Sequence, residues 1–263
     1  MQQNGFMMMA DSVLVITGGA SGLGEGVARR AVQQGASGVA LLDANVDRAQ
    51  ELAAELGSSV LALACDVRET DQIAAALDEA MKRFGAIHGA VACAGVGWAQ
   101  RTLAKDGQSA DIDQYRRVID INLVGTYDFA RQAAAVMSSN TPDESGERGI
   151  VIMTASLAAF DGQTGQSAYS ASKSGIVGMT LPMARDLAPV GIRVVTIAPG
   201  LMDTPIYDPF GSDVKNHLES LTVFPKRLGT ADEYAHFVQS IMENGYLNGE
   251  TIRLDAATRL PPR

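Results

Sequence analysis

The 263-residue sequence predicts one doubly wound α/β domain, a parallel sheet with helices on both faces. Three observations predict it. Short apolar, β-branched runs alternate with segments whose apolar residues recur at helical spacing. The first such run ends in TGGASGLG at 17–24, a glycine-rich turn between a strand and a helix. Apolar residues make up 46% of the chain and aromatic ones only 5%, so the expected core is built from Ala, Val, Ile and Leu and needs no disulfide or metal.

Residues 13–16, Val-Leu-Val-Ile, read as a buried strand, and a helical pattern follows the turn to about Gly35. Gly18, Gly22 and Gly24 permit the tight turn, the approach of backbone to a pyrophosphate, and close helix–strand packing. The N–H groups at the helix start would face the anion. A second strand, 38–43, ends in Asp43, 19 residues past Gly24. A carboxylate at that distance is placed to bind an adenosine ribose hydroxyl and would repel a 2′-phosphate. Ala44 and Asn45 follow, with no cation among them, so NAD is expected rather than NADP.

Residues 46–56 carry apolar groups at 46, 49, 52, 53 and 56 and close on Gly57, a helix with its C-cap. A third strand spans 59–65 and is followed by Asp66 and Val67. The next helix starts near Thr70, places Ile73, Leu77, Met81 and Phe84 on one stripe, and stops at Gly85. A fourth strand, 87–94, runs into Gly95. Residues 96–114 are polar, irregular and longer than a routine connection. A helix from about Asp111 then carries Asn122 on its apolar face. A buried Asn needs partners: a proton relay through water or backbone towards the active centre, and a purely structural bond, both fit.

The fifth strand, 150–155, delivers Ser156 to a carboxyl end, where open α/β sheets place their ligands. Tyr169 and Lys173 follow on a helix, four residues apart and so on one face. A nearby cation lowers a phenol towards the range where it exchanges a proton at neutral pH. Such pairs also arise by chance; the rest of the chain decides. That helix ends near Leu187, and a sixth strand, 191–198, is broken by Pro199 and Gly200. Residues 201–227 interleave apolar and polar groups, as both a mobile cover over an apolar substrate and an ordinary surface helix would. A last helix, 231–243, and a strand, 251–254, complete the sheet. No internal repeat is visible, so 11–263 is expected to be a single dinucleotide-binding domain after a flexible N-terminal extension, 1–10.

The formal charge is −9, and no basic run is dense enough to follow a phosphate backbone, so a nucleic-acid partner is not expected. No stretch approaches the ~20 apolar residues of a membrane span. The N-terminus has neither the basic region of a signal peptide nor the arginines of a transit peptide, and a soluble cytoplasmic protein is expected. Cys65 and Cys93 lie in apolar runs and read as free thiols in a reducing compartment. His88, His217 and His236 are scattered, and no metal site is expected.

Taken together, TGGASGLG at 17–24, Asp66, ACAG at 92–95, Asn122, Ser156, YSASK at 169–173 and Pro199-Gly200 resemble the short-chain dehydrogenase/reductase family over nearly the whole chain. The resemblance implies a seven-stranded Rossmann-type fold, a homotetramer or dimer, and hydride exchange between a nicotinamide and an alcohol or ketone. The stretches IVGMTLPMARDLAPVGIRVVTIAPGL, FPKRLG, EYAHFVQSI and LNGETIRLD, with the long 96–114 segment, are similar to the family's type II 3-hydroxyacyl-CoA dehydrogenases. That group oxidises short-chain and branched 3-hydroxyacyl-CoA thioesters and some hydroxysteroids, so an acyl-CoA thioester or a steroid-like alcohol is the implied substrate.

Carried over residue by residue, the likeness makes Tyr169 the acid/base, Lys173 its partner and ribose anchor, Ser156 the holder of the substrate oxygen and Asn122 the relay. Ser21, Leu23, Asp43, Asp66, Val67, Cys93, Ala94, Gly95, Pro199, Met202 and Thr204 would line NAD, and Gln163 would contact the substrate. Many members have two asparagines where this chain has Ala92 and Cys93, which removes an amide that braces the strand. Arg101, Lys105, Lys215 and Lys226 are the cations considered for CoA phosphates, with solvated surface charge as the alternative. A scaffold or RNA-processing role is the rival from another class, and the chain's acidity opposes direct RNA binding.

Overall fold

The computed structural model describes residues 7–205 and 211–262, the side chains of 211–215 excepted. Its strands are β1 (Val13–Thr17), β2 (Gly38–Asp43), β3 (Val60–Ala64), β4 (Gly89–Ala92), β5 (Gly149–Thr154), β6 (Ile192–Pro199) and β7 (Thr251–Leu254). They form one parallel sheet in the order β3-β2-β1-β4-β5-β6-β7. Helices α1 (Gly22–Gln33), α2 (Val46–Leu56) and α8 (Ala231–Met242) contribute to the core on one face. Helices α3 (Thr70–Phe84), α5 (Gly125–Met137) and α6 (Ser167–Leu187) contribute to the core on the other.

Burial on both faces explains why β1 is apolar throughout rather than alternating. Val15 belongs to one core cluster, Leu14 and Ile16 to the other. The strand order reverses between β1 and β4, which opens a crevice beyond their carboxyl ends.

The structure departs from two expectations. The extension 1–10 was expected to be flexible, yet Met7 and Met9 are buried, Met9 completely, in the core beneath α1 and α8. Burying such a side chain contributes about 1.5–3 kcal/mol, which offsets much of the entropy lost in ordering that residue. Residues 1–6 lie outside the described residues. Second, the helix expected from Asp111 runs from 112 to 137 but is not α-helical throughout. After α4 (Ile112–Ile119) a π-helical turn, Asp120–Val124, leads into α5. The wider turn carries Asn122 inward to full burial while Val124 stays half-exposed. Gly125 then sits against the backbone after β3, where a Cβ would stand 2.8 Å from the Val67 carbonyl oxygen.

Within the expected cover, α7 (Gly211–Leu221) forms, and Met202 pairs with Gly229 in a short parallel bridge. Ile206, Tyr207 and Phe210 lie outside the described residues. Among the described residues no helix is long and apolar enough to cross a membrane.

Candidate active site

A cavity of about 970 Å³ opens where the strand order reverses. Its wall at one end is the start of α1. Ser21, Gly22, Leu23 and Gly24 face it, and the extended Ser21 makes no side-chain capping bond. First-turn N–H groups without a cap suit an anion such as a pyrophosphate. Gly18 makes the turn possible: its φ is +62°, and a Cβ there would come within 2.8 Å of the Ala94 amide nitrogen.

Asp43 is fastened to this loop. One carboxylate oxygen accepts the Ala20 N–H at 3.0 Å and the other the Asn45 N–H at 2.9 Å. The cap of α2 is Asn45, which leaves Asp43 facing the cavity. Asp66 and Val67 follow along the wall, and the Arg68 guanidinium holds the Asp66 carboxyl below its usual range. Cys93, Ala94 and Gly95 at the end of β4, and Pro199, Met202 and Thr204 after β6, close the other sides. The uncapped helix start, the cavity-facing Asp43 and this wall fit a dinucleotide.

Ser156 caps a single 3-10 turn, Leu157–Ala159, its hydroxyl accepting the Ala158 N–H at 3.1 Å. Ser156 and Tyr169 both face the cavity. Lys173 is 5% exposed; its ammonium donates to the Thr154 carbonyl at 2.8 Å and lies 5.8 Å from the centre of the Tyr169 ring. Burial raises the Tyr169 phenol above its ordinary value, and the Ser156 side chain opposes that shift. Burial also lowers Lys173 from 10.5 to about 8. The expected acidification of the phenol by the ammonium is therefore not what this geometry produces. The ammonium is directed at a carbonyl, and loss of water outweighs other effects on the phenol.

Asn122 is fully buried at the π-helical turn. Its side chain accepts the Val96 N–H at 2.8 Å and donates to the Val96 carbonyl at 2.9 Å and the Ser172 hydroxyl at 3.2 Å. These bonds brace the chain after Gly95 and leave the buried amide fully partnered.

The brace that Ala92 cannot supply comes from elsewhere. Thr154 donates its hydroxyl to the Ala92 carbonyl at 2.6 Å and accepts from the fully buried Tyr234 of α8 at 2.7 Å. Burial pushes the Tyr234 phenol well above its ordinary value, so it stays a donor. Tyr234 was missed because its partner stands 80 residues away. Gln163, Trp98, Leu157, Gln166 and Leu260 also line the cavity, and the Gln163 amide group binds the Pro261 carbonyl next to Leu260. Arg101, Lys105 and Lys226 are exposed and stand off the wall. The arginines on the wall are Arg68 and Arg117, neither legible from spacing. The Lys215 side chain lies outside the described residues.

Residues 12–215 match the model of the short chain dehydrogenase family. The chain is 52% identical over 251 residues to the 3-hydroxyacyl-CoA dehydrogenase type-2 of Homo sapiens, covering 95% of this chain and 96% of that protein. A crystal structure of 3-hydroxyacyl-CoA dehydrogenase type-2 from Mycobacterium avium superposes with a TM-score of 0.90 at 40% identity, covering 97% of this chain and 99% of that one. A 3-ketoacyl-(acyl-carrier-protein) reductase from Brucella melitensis, complexed with NADH, superposes with a TM-score of 0.83 at 25% identity, covering 96% and 100%. With a Ser-Tyr-Lys set grouped beside a dinucleotide-shaped cleft, the chain belongs to the short chain dehydrogenase family and is an oxidoreductase acting on CH–OH groups.

Proposed function

We propose that this enzyme uses NAD to oxidise the 3-hydroxyl of short-chain or branched 3-hydroxyacyl-CoA thioesters, and catalyses the reverse reduction. The observation that carries the reading is the near-full-length, roughly half-identical likeness to 3-hydroxyacyl-CoA dehydrogenase type-2. When bound, the nicotinamide supplies the hydride acceptor. Tyr169 takes the alcohol proton, and Ser156, which faces the same cavity, orients the substrate oxygen. Lys173, its ammonium held by the Thr154 carbonyl, would anchor the nicotinamide ribose. Asn122, Thr154 and Tyr234 position the strand ends that carry these groups.

Asp43 supports NAD over NADP, since its carboxylate borders the cavity with both oxygens tied to backbone. The apolar side chains of Trp98, Leu157 and Leu260 in the cavity lining support a second reading, oxidation of a hydroxysteroid or another secondary alcohol. The exposed Ile112, Tyr115, Val124 and Tyr127 on and between α4 and α5 support a homotetramer. NADH absorbance with a panel of 3-hydroxyacyl-CoAs, hydroxysteroids and simple alcohols tests the substrate class. Turnover of the thioesters at least about tenfold more efficient than of the alcohols is expected. The reverse order would replace the first reading with the second.

A further inference from the structure

The C-terminal segment is stitched to the loop that follows Ser156. The Pro262 carbonyl accepts from the Thr164 N–H at 3.0 Å and from its hydroxyl at 2.8 Å. The Pro261 carbonyl accepts from the Gln163 side-chain amide at 3.1 Å. Deeper in the fold, Arg253 of β7 binds Asp161 of that loop at 2.6 Å, Asp255 at 2.6 Å and the Thr258 carbonyl at 3.2 Å. Its guanidinium also lies 5.0 Å above the Phe160 ring. On the other side, the Gln100 N–H donates to the Gly165 carbonyl at 2.8 Å, which ties in the long 96–111 connection. Three loops from distant parts of the chain thus hold one another around the end of the cavity that Trp98, Gln163 and Leu260 share.

We infer that residues 258–262 form a fixed wall of the substrate end, and that Leu260 limits how long or bulky a group the enzyme accepts beside Gln163. The physical grounds are the clasp and the chemistry of the residue. Each bond to Pro261 or Pro262 uses a carbonyl, which proline retains, and the rigid Pro-Pro pair loses little entropy on docking. The half-buried Leu260 side chain offers the cavity an apolar surface with no polar group to satisfy. Arg253 is a positioning residue here, touching both parts of the clasp. The inference rests on the proposed reading of this cavity as the seat of an alcohol substrate.

The test compares the full chain with Leu260→Ala, Leu260→Trp and a chain ending at Arg259. Rates are measured on 3-hydroxyacyl-CoAs of graded length and on secondary alcohols of graded bulk. Amide exchange of the peptide containing Thr164 is followed in parallel. Leu260→Ala should shift the ratio of long- to short-substrate kcat/KM upwards by about tenfold and Leu260→Trp downwards by as much, with the KM for NAD unchanged. The shortened chain should exchange the Thr164 amide faster. Unchanged length and bulk ratios in both Leu260 variants, or wild-type exchange at Thr164 in the shortened chain, would overturn the inference. If only the alcohols are turned over, the thioester reading fails while the bulk ratio and the exchange rate still decide this one. Should the shortened chain not fold, the two point variants decide alone.

Discussion

Replacing Lys173 by Met should separate stability from activity. Burial lowers this ammonium from 10.5 to about 8, and at about 1.4 kcal/mol per pKa unit its charge costs the folded chain about 3 kcal/mol at neutral pH. Against that stands the bond from its ammonium to the Thr154 carbonyl, whose loss leaves a buried acceptor unpaired at a cost of about 1–3 kcal/mol. Met fills a similar volume. The variant should therefore lie between equal stability and a gain of about 2 kcal/mol at pH 7, while oxidation falls by about 10²-fold or more. Between about pH 8 and pH 10 the unfolded chain keeps the lysine proton and the folded chain releases it. Wild-type stability consequently rises with pH relative to the variant, and any advantage of Met shrinks. Urea unfolding of both proteins at pH 7 and near pH 9.5, with turnover measured alongside, reads the two effects. A variant destabilised by more than about 2 kcal/mol at pH 7, or a stability difference flat in pH, would refute the reasoning.

Further outcomes are expected. Tyr169→Phe should lower turnover by about 10²–10⁴-fold while NAD binding, followed by tryptophan quenching, survives; activity near wild type would remove the phenol from the reaction. Because burial holds the phenol above its ordinary value, the oxidation rate should climb with pH through neutrality, and a flat profile would show that proton loss from Tyr169 does not limit the rate. Asp43→Ala should raise the NADP-to-NAD efficiency ratio, at some cost in stability because the Ala20 and Asn45 N–H groups lose their acceptor; an unchanged ratio would count against a ribose contact. Gly24→Ala should destabilise by several kcal/mol, since the added methyl collides with the Gly18 carbonyl, and a midpoint in urea equal to wild type would contradict the packing of α1 on β1.

Local chemistry is what the sequence carried most faithfully. The run from Val13 to Gly24 and the spacing to Asp43 could be read directly, because a strand buried on both faces must be apolar and a tight turn at a helix start must be glycine. The Tyr169–Lys173 pair was legible because four residues make about one helical turn. What lay beyond reach were contacts between segments far apart in the chain, and the water they exclude. Whether Lys173 acidifies Tyr169 depends on which carbonyl its ammonium meets and how dry both groups become, and neither is a property of spacing. That Asn122 would brace Val96 could not be read from the sequence, because the π-helical turn that aims its side chain there is set by packing. Tyr234 and Leu260 carried no local signal at all. Each acts by reaching a partner or a cavity that exists only once the chain has folded around it, so tertiary packing alone assigned them their places.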